Sequence, residues 1–409
     1  MRFDTFMKRA ESTPPAVVAG VFNPTGVGVV RNLGRVDVPV LALDTDPRSA
    51  GLRSRYAAPG LCPDPHYDER GFIDTLVDIG RRLPQKAVIF PCQDDYVAVC
   101  ARRADELKRW YLLPFSGWSV MRVLADKEEQ IKAAWRAGVA TPRTVFLRSP
   151  DDLARAGGEI PFPAVMKSAE PLAMRRRHLG KTTFVASPDQ LGAAYERVRE
   201  CGTIVLQEVI PGGDEQLYTL FSYLDAESRP LGVFTCHKLR QHPRTFGECR
   251  FGESVWVEPV ADAGVALLRE LGFHGVSGIE FKLDPRDGQL KFMEINARHG
   301  LRHTLAAAVG VNLTLCAYED MLGRPFQAPR QEEGPRWIYA AFDVPDSIRE
   351  ILRGELSARE WVSSLRGTRL DGMLACDDPL PGLCQWSAVG RRALNKYAGA
   401  VRRPRRHAR

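Results

Sequence analysis

Two segments near residue 280 do most to limit what this chain can become. "GVSGIEFKLD" (275–284) and "GQLKFMEIN" (288–296) are apolar-rich runs separated by "PRDG", the pattern of two antiparallel strands joined by a tight turn. In "FMEINARHG" (292–300), Glu294, Asn296 and Arg298 recur at every second position, so a strand directs all three to one face. Pairing across the turn lets Glu280 and Glu294 fall opposite each other, where two like charges repel. A wall of carboxylates, amide and guanidinium needs a partner, because buried polar groups are costly without one. Two candidates follow. One is an ion-pair patch with Arg298 and Lys282; the other is a divalent cation. Two Glu and an Asn offer only oxygen, which favours Mg²⁺ over zinc, and Mg²⁺ with few protein ligands completes its shell with water and phosphate.

The N-terminal part alternates strands and helices. "AVVAGVF" (16–22), "VPVLALD" (38–44) and "AVIFP" (87–91) are short apolar runs, and between them "GVGVVRNLGR" and "FIDTLVDIGRRL" have helical spacing, which argues for a parallel sheet with crossover helices. The first turn, "NPTGVGVV", has Gly26 and Gly28 but lacks the third glycine of a dinucleotide fingerprint, so it reads as a plain strand-to-helix turn and Asp44 as no ribose ligand. Asp94 and Asp95 follow the third strand, where open α/β sheets bind ligands, though helix-start residues that complement the dipole look the same.

The next part places lysines on strands. Lys167 ends "FPAVMKS" (162–168), Lys181 follows a glycine in "GKTTFVAS" (180–187), and Lys238 ends the apolar run of "PLGVFTCHKLRQ" (230–241). A lone buried lysine is expensive without an anion, so three of them suggest a polyphosphate, while a snorkelling lysine needs no ligand. "PLAMRRRHLGKTT" (171–183) reads either as a cationic lid or as a solvated loop, and "HPRTFGECRFGE" (242–253) is a second candidate lid.

With 409 residues, 44% apolar and 26% charged, the chain can build two or three packed domains. No run of about 18 apolar residues and no signal-like start occurs, so the expectation is a cytoplasmic protein without a membrane span. Nine cysteines without a CxxC pair are expected as reduced thiols. Of the net charge of +7, residues 391–409 supply seven Arg and one Lys with no acid, leaving −1 elsewhere; that end reads as a solvated tail rather than a nucleic-acid surface.

These residues resemble the ATP-grasp superfamily of ligases, over about residues 16–385. The likeness rests on "DK" (Asp126, Lys127), the strand-end Lys167, "QEVIPGGDE" as the adenine hinge, and "GIEF…MEINAR" as the metal hairpin. Further stretches, "PCQDD", "HKLRQHPRTFGE" and "DDPLPG" (377–382), are similar to the carboxylate–amine ligases that include D-aspartate ligase. The resemblance implies an α/β ATP-grasp fold: a Rossmann-like N-terminal pre-ATP-grasp domain (1–122), two α+β subdomains sandwiching ATP (123–210, the lid side, and 211–330, the metal hairpin), and a C-terminal extension (331–409). It implies that Glu208 and Glu215 are the hinge and ribose acids, that the backbone at Val209 and Ile210 meets the adenine edge, and that Lys127, Lys167, Lys181 and Lys238 contact phosphates. Glu280, Glu294 and Asn296 match magnesium ligands, with Mn²⁺ as a substitute, and Arg298 matches the catalytic arginine. The implied reaction joins a carboxylic acid to an amine, with an amino acid or peptide among them, through an acylphosphate. The alternatives are carboxyphosphate chemistry or a non-catalytic nucleotide-binding protein, and a homodimer is the candidate assembly. "HGLRH" (299–303) replaces the small residues that usually follow the arginine, so substrate identity does not carry over. Arg244, Arg302 and His303, with Asp94 and Asp95, are the candidate substrate residues, and the cations among them favour an acidic acyl substrate.

Overall fold

The computed structural model describes residues 1–401 apart from 171, 172, 175, 176, 181, 245 and 325, with 392–401 as backbone only. Lys181, much of the cationic lid candidate, and residues 402–409 of the basic tail therefore lie outside the described residues.

The alternating N-terminal pattern builds a five-stranded parallel sheet from β1 (Ala16–Ala19), β2 (Val40–Asp44), β3 (Ala57–Leu61), β4 (Ala87–Pro91) and β5 (Tyr111–Leu112), in the order β3-β2-β1-β4-β5. Sequence patterning misses β3, whose "AAPGL" holds a Pro and a Gly that only an edge strand tolerates. The strand order reverses between β1 and β4, so the loops after these strands form the edge where such sheets take ligands. The turn after β1 is a packing device. A Cβ on Gly26 would lie 2.5 Å from the Gly20 carbonyl oxygen, and one on Gly28 would lie 2.3 Å from the Thr304 methyl, so the helix Pro24–Gly34 sits too close to its neighbours for any side chain there. Asp44 is buried, accepts hydrogen bonds from the Val21 (2.8 Å) and Thr45 (2.8 Å) amides, and orders that turn.

The small antiparallel sheet has the order β6-β9-β7-β8, from β6 (Thr144–Leu147), β7 (Ala164–Ser168), β8 (Thr183–Val185) and β9 (Ile204–Glu208). The large sheet has the order β14-β13-β10-β11-β12-β15-β16. Its strands are β10 (Leu217–Leu224), β11 (Pro230–His242), β12 (Glu248–Ser254), β13 (Gly275–Leu283), β14 (Leu290–Asn296), β15 (Arg336–Ile338) and β16 (Thr368–Asp371). Two expectations are corrected here. Lys238 lies inside β11, which runs four residues further, and half of the second lid candidate is β12. In β12, Arg250 is buried and forms a two-pronged ion pair with Glu350 (2.7 and 2.8 Å) of the helix Ala340–Leu352, a partner a hundred residues away in sequence.

The late "DDPLPG" stretch is a clip between the C-terminal extension and the parallel sheet. Asp378 is buried and accepts from Arg31 Nε (3.0 Å), Ser54 Oγ (2.8 Å) and the Arg55 amide (2.9 Å), while Arg31 Nη2 donates to the Met373 carbonyl (2.8 Å). Asp377 pairs with Arg35 (2.8 and 2.9 Å) and accepts from the Tyr56 hydroxyl (2.8 Å), which holds its carboxyl well below the usual range. Removing one partner of a buried pair strands the other. Asp378→Ala is expected to cost about 3 to 5 kcal/mol, measured as a lower denaturation midpoint; an unchanged midpoint would show that the clip holds nothing.

Candidate active site

The hairpin presents its acids because of one irregularity. Glu280 pairs directly with Glu294 and Gly278 with Asn296, but Phe281 pairs with Phe292, so Met293 is an extra residue in β14. Without that bulge, Phe292 would share the face of Glu294 and Asn296. With it, Phe292 and Ile295 both enter the core while Glu294 and Asn296 face outward. Thr219 lies in the same cross-strand row as Glu280, and Lys238 and Lys282 flank Leu217 two residues along, so the polar side chains share one face.

The two facing carboxylates are each held by a lysine. Lys238 Nζ lies 2.7 Å from Glu280, and Lys127 Nζ lies 3.3 Å from Glu294. Asn296 donates to the other Glu294 oxygen at 3.4 Å. Asp126 explains the "DK" pair: its side chain caps the helix Lys127–Arg136 through the Glu128 (2.8 Å) and Glu129 (3.3 Å) amides, which sets Lys127 at the helix start. Lys127 above all, with Lys167, draws the Glu294 carboxyl down to about 2 against the opposing effect of its burial. Lys167 has no ion-pair or hydrogen-bond partner among the described residues, and burial beside Lys127 draws its ammonium down to about 8.

Sequence reasoning missed Gln130. As the first strand of the large sheet, β14 has an open edge whose backbone groups need partners. The Gln130 carboxamide supplies them: Oε1 accepts from the Ile295 amide (3.0 Å) and Nε2 donates to the Ile295 carbonyl (3.1 Å), next to Glu294. Phe292 N–H finds the Ala140 carbonyl at 2.8 Å. A glutamine inside a helix looks like a surface residue; its only signal was its place one turn after Lys127, on the same helix face.

The hinge after β9 is built differently from expectation. Glu208 is buried and engaged: its carboxylate accepts from the Arg143 amide (2.8 Å) and pairs with Arg286 (2.9 Å), so it fixes the start of the hinge. The Val209 N–H is taken by the Pro163 carbonyl (2.9 Å), leaving the Val209 carbonyl and the Ile210 N–H, which have no partner among the described residues. Lys282, which the alternative ion-pair patch would have drawn to the acids, donates to the Ile210 and Gly212 carbonyls (both 2.8 Å) and ties the hinge to the hairpin. Glu215 is exposed; hydrogen bonds from its own and the Gly213 amide hold its carboxyl below the usual range.

Arg298 and Asp94, singled out separately in the sequence, meet. Arg298 Nε and Nη2 bind the two Asp94 oxygens at 2.7 and 2.9 Å, so the hairpin face reaches the loop after β4. Asp95 faces His66 instead, at 3.6 Å. Arg244 is drawn away: its guanidinium pairs with Glu355 on the protein surface. His303 is corrected as a substrate residue. It is buried, its ring bonds the Thr25 carbonyl (3.0 Å) and Asn32 (3.4 Å), and burial lowers it to about 4, so it is a neutral packing residue. Arg302 is buried; Nη2 donates to Thr219 Oγ1 (2.6 Å), and Nη1 has no hydrogen-bond partner among the described residues.

The family model of the carbamoyl-phosphate synthase L chain ATP-binding domain matches residues 256–326, which hold the whole hairpin and Arg298. The biotin carboxylase domain of the Hydrogenobacter thermophilus 2-oxoglutarate carboxylase, solved with MgADP and bicarbonate, matches with a TM-score of 0.61 at 15% identity, over 80% of this chain and 74% of that one. This chain has the ATP-grasp fold. The L-amino acid ligase from Bacillus licheniformis is a second structural match to this ATP-grasp chain, with a TM-score of 0.59 at 16% identity over 77% and 75% of the two chains. In sequence, D-aspartate ligase from Enterococcus faecium (strain Aus0004) is 24% identical over 289 residues, 66% of this chain and just under two thirds, 66%, of that enzyme.

The biotin carboxylase neighbour was solved with MgADP, and the donor set of this chain fits such a group. Among the described residues no group of three His, Cys, Asp or Glu is placed to hold a metal alone. Glu280, Glu294 and the Asn296 amide oxygen offer a partial oxygen shell, which suits an ion whose remaining ligands are phosphate and water.

Lys167 gives this site a pH signature. A lysine whose folded pKa lies below its unfolded value of about 10.4 disfavours the fold while charged; that cost is full below pH 8 and is relieved as pH rises toward 10.4. Phosphates favour the charged form, so affinity for ATP with Mg²⁺ is expected to fall by up to about tenfold per unit as pH rises above 8. Calorimetry should show the fall in the wild type and its loss in Lys167→Met; an identical profile in both contradicts the assignment.

Proposed function

We propose that this protein is an ATP-dependent ligase that joins a carboxylic acid to an amine through an acylphosphate. The observation that carries the reading is the directly opposed pair Glu280 and Glu294, each held by a lysine, on the face where Arg298 projects. Bound Mg²⁺ would be held by Glu280, Glu294 and Asn296 and would neutralise charge between the β- and γ-phosphates. With those acids engaged by a metal, Lys127 and Lys238 would turn to phosphate oxygens, and Lys167 has no hydrogen-bond or ion-pair partner among the described residues. The hinge offers the Val209 carbonyl and the Ile210 N–H to an adenine edge, and Glu215 is the exposed acid beyond it.

The substrate carboxylate attacks the γ-phosphorus, expelling ADP and leaving a mixed anhydride. The amine then attacks the acyl carbon, loses a proton, and inorganic phosphate departs. Arg298 stands where negative charge develops on the acyl oxygens, a role in which loss of one donor costs about 3 to 4 kcal/mol. In this structure Asp94 occupies that guanidinium through the two-pronged geometry a substrate carboxylate would use.

An acidic acyl substrate is favoured by Arg302. Its Nη1 is buried with no hydrogen-bond partner among the described residues, beside the Thr219 row that contains Glu280, and a second carboxylate on the substrate would supply the missing acceptor. D-aspartate ligase, the sequence relative, has a name that makes an amino acid the first candidate. Bicarbonate as the acid is the second reading, since the biotin carboxylase neighbour was solved with that anion.

The test is a screen of amino acids, dicarboxylic acids and bicarbonate against amines for ADP formation that requires both partners, with the product mass read. An amide product supports the reading, and ADP release indifferent to any amine refutes it. For the active acid, Arg302→Lys should raise KM for that acid at least tenfold with little change for ATP, since a lysine cannot reproduce the guanidinium fork. An unchanged KM would make Arg302 a packing residue.

A further inference from the structure

Three arginines line a cavity that has no role in holding ATP. It has a volume of about 500 Å³ and opens at the carboxyl edge of the parallel sheet. Phe22, three residues beyond β1, forms one wall, Arg48 and Arg53 come from the segment after β2, and Leu380 and Arg391 come from the C-terminal helix Leu380–Val401. No lining residue is acidic. Arg53 has no hydrogen-bond or ion-pair partner among the described residues, and the contact of Arg391 is the Ser387 hydroxyl at 3.2 Å. Arg48 is bonded to Asp46 (3.1 and 3.2 Å), which lies outside the lining. Phe22 and Leu380 are 49% and 54% exposed, so the cationic rim surrounds exposed apolar surface.

The position of the cavity relates it to the reacting centre. Neighbouring strands lie about 4.8 Å apart, and β1 is the neighbour of β4. The loops beyond them touch: Gln93 Nε2 donates to the Gly20 carbonyl at 3.4 Å. Gln93 precedes Asp94, which grips Arg298, and Gly20 lies two residues before Phe22. The arginine cavity and the catalytic arginine thus share one edge of the sheet, on opposite sides of this contact. The C-terminal helix closes the cavity, and the Asp377–Asp378 clip to Arg35 and Arg31 fixes where that helix begins.

We propose that this cavity binds the amine-bearing substrate of the ligase by an anionic group, a carboxylate or a phosphate, attached to an apolar body. The assignment rests on the ligase reading for the word amine; the anion site itself rests on the arginines. About 500 Å³ suits a small molecule. Guanidinium groups favour planar or tetrahedral oxyanions through paired N–H bonds. The apolar wall requires more than a bare anion.

Calorimetry on the full chain, at low salt and again near 150 mM, tests this with phenyl phosphate, phenylacetate, inorganic phosphate and benzyl alcohol. One of the two aromatic anions is expected to saturate the protein, and which one binds tighter tells phosphate from carboxylate recognition. Arg53→Gln combined with Arg391→Gln should weaken that Kd at least tenfold, while the Tm without ligand and the Tm shift with ATP and Mg²⁺ stay as in the wild type. Equal binding to the double variant, equal binding of benzyl alcohol, binding of inorganic phosphate alone, or no binding at all would each overturn the proposal. Failure of the nucleotide reading has a separate signature: no Tm shift with ATP and Mg²⁺ in the wild type.

Discussion

Two carboxylates placed face to face across an antiparallel pair set the terms for the rest of this molecule. Glu280 and Glu294 repel in that register, and the fold nevertheless keeps them opposed through a bulge at Met293. Three lysines are arranged around them. Lys238 from β11 and Lys127 from the helix Lys127–Arg136 each take one acid, and Lys167 feels the charge of both with no direct partner among the described residues. Two acids and three lysines converging from five elements make a weak core and a good receptacle for a metal polyphosphate, in which charges of both signs exchange partners.

The subdomains are tied together at this same place. Gln130 completes the open edge of β14 beside Glu294, Lys282 ties the hinge to β13, and Arg298 grips Asp94 of the parallel-sheet domain. Each tie is polar and lies on the site, whereas the C-terminal extension is fixed by buried ion pairs away from it, Arg31 with Asp378 and Arg250 with Glu350. The polar ties on the site are the contacts a nucleotide and a carboxylate can replace. This division puts rearrangement at the site and rigidity behind it.

The hairpin was legible because a "PRDG" turn and an alternating charge pattern specify a register locally. The parallel sheet was legible for the same reason: "AVIFP" (87–91) corresponds residue for residue to β4. What stayed hidden depends on partners distant in sequence. β12 carries a buried arginine that reads as surface until Glu350 is seen beside it, and Gln130 reads as an ordinary helix residue until β14 arrives. His303 resembled a ligand because a histidine beside two arginines looks chemical, but its ring is spent on Thr25 and Asn32. Glu208 had the spacing of a nucleotide acid and is consumed by Arg143 and Arg286, a pairing that spacing cannot reveal.

The account stands or falls on whether the opposed acids hold a metal nucleotide. Mn²⁺ bound with ATP reports this directly by electron paramagnetic resonance, since metal on the protein loses the signal of the free aqueous ion. Titration of the wild type with Mn²⁺ in the presence of ATP should show one saturable protein-bound population, and Glu280→Gln and Glu294→Gln should each weaken it by at least tenfold while the fold is unchanged. Binding of equal strength in the wild type and in both variants would contradict the central claim.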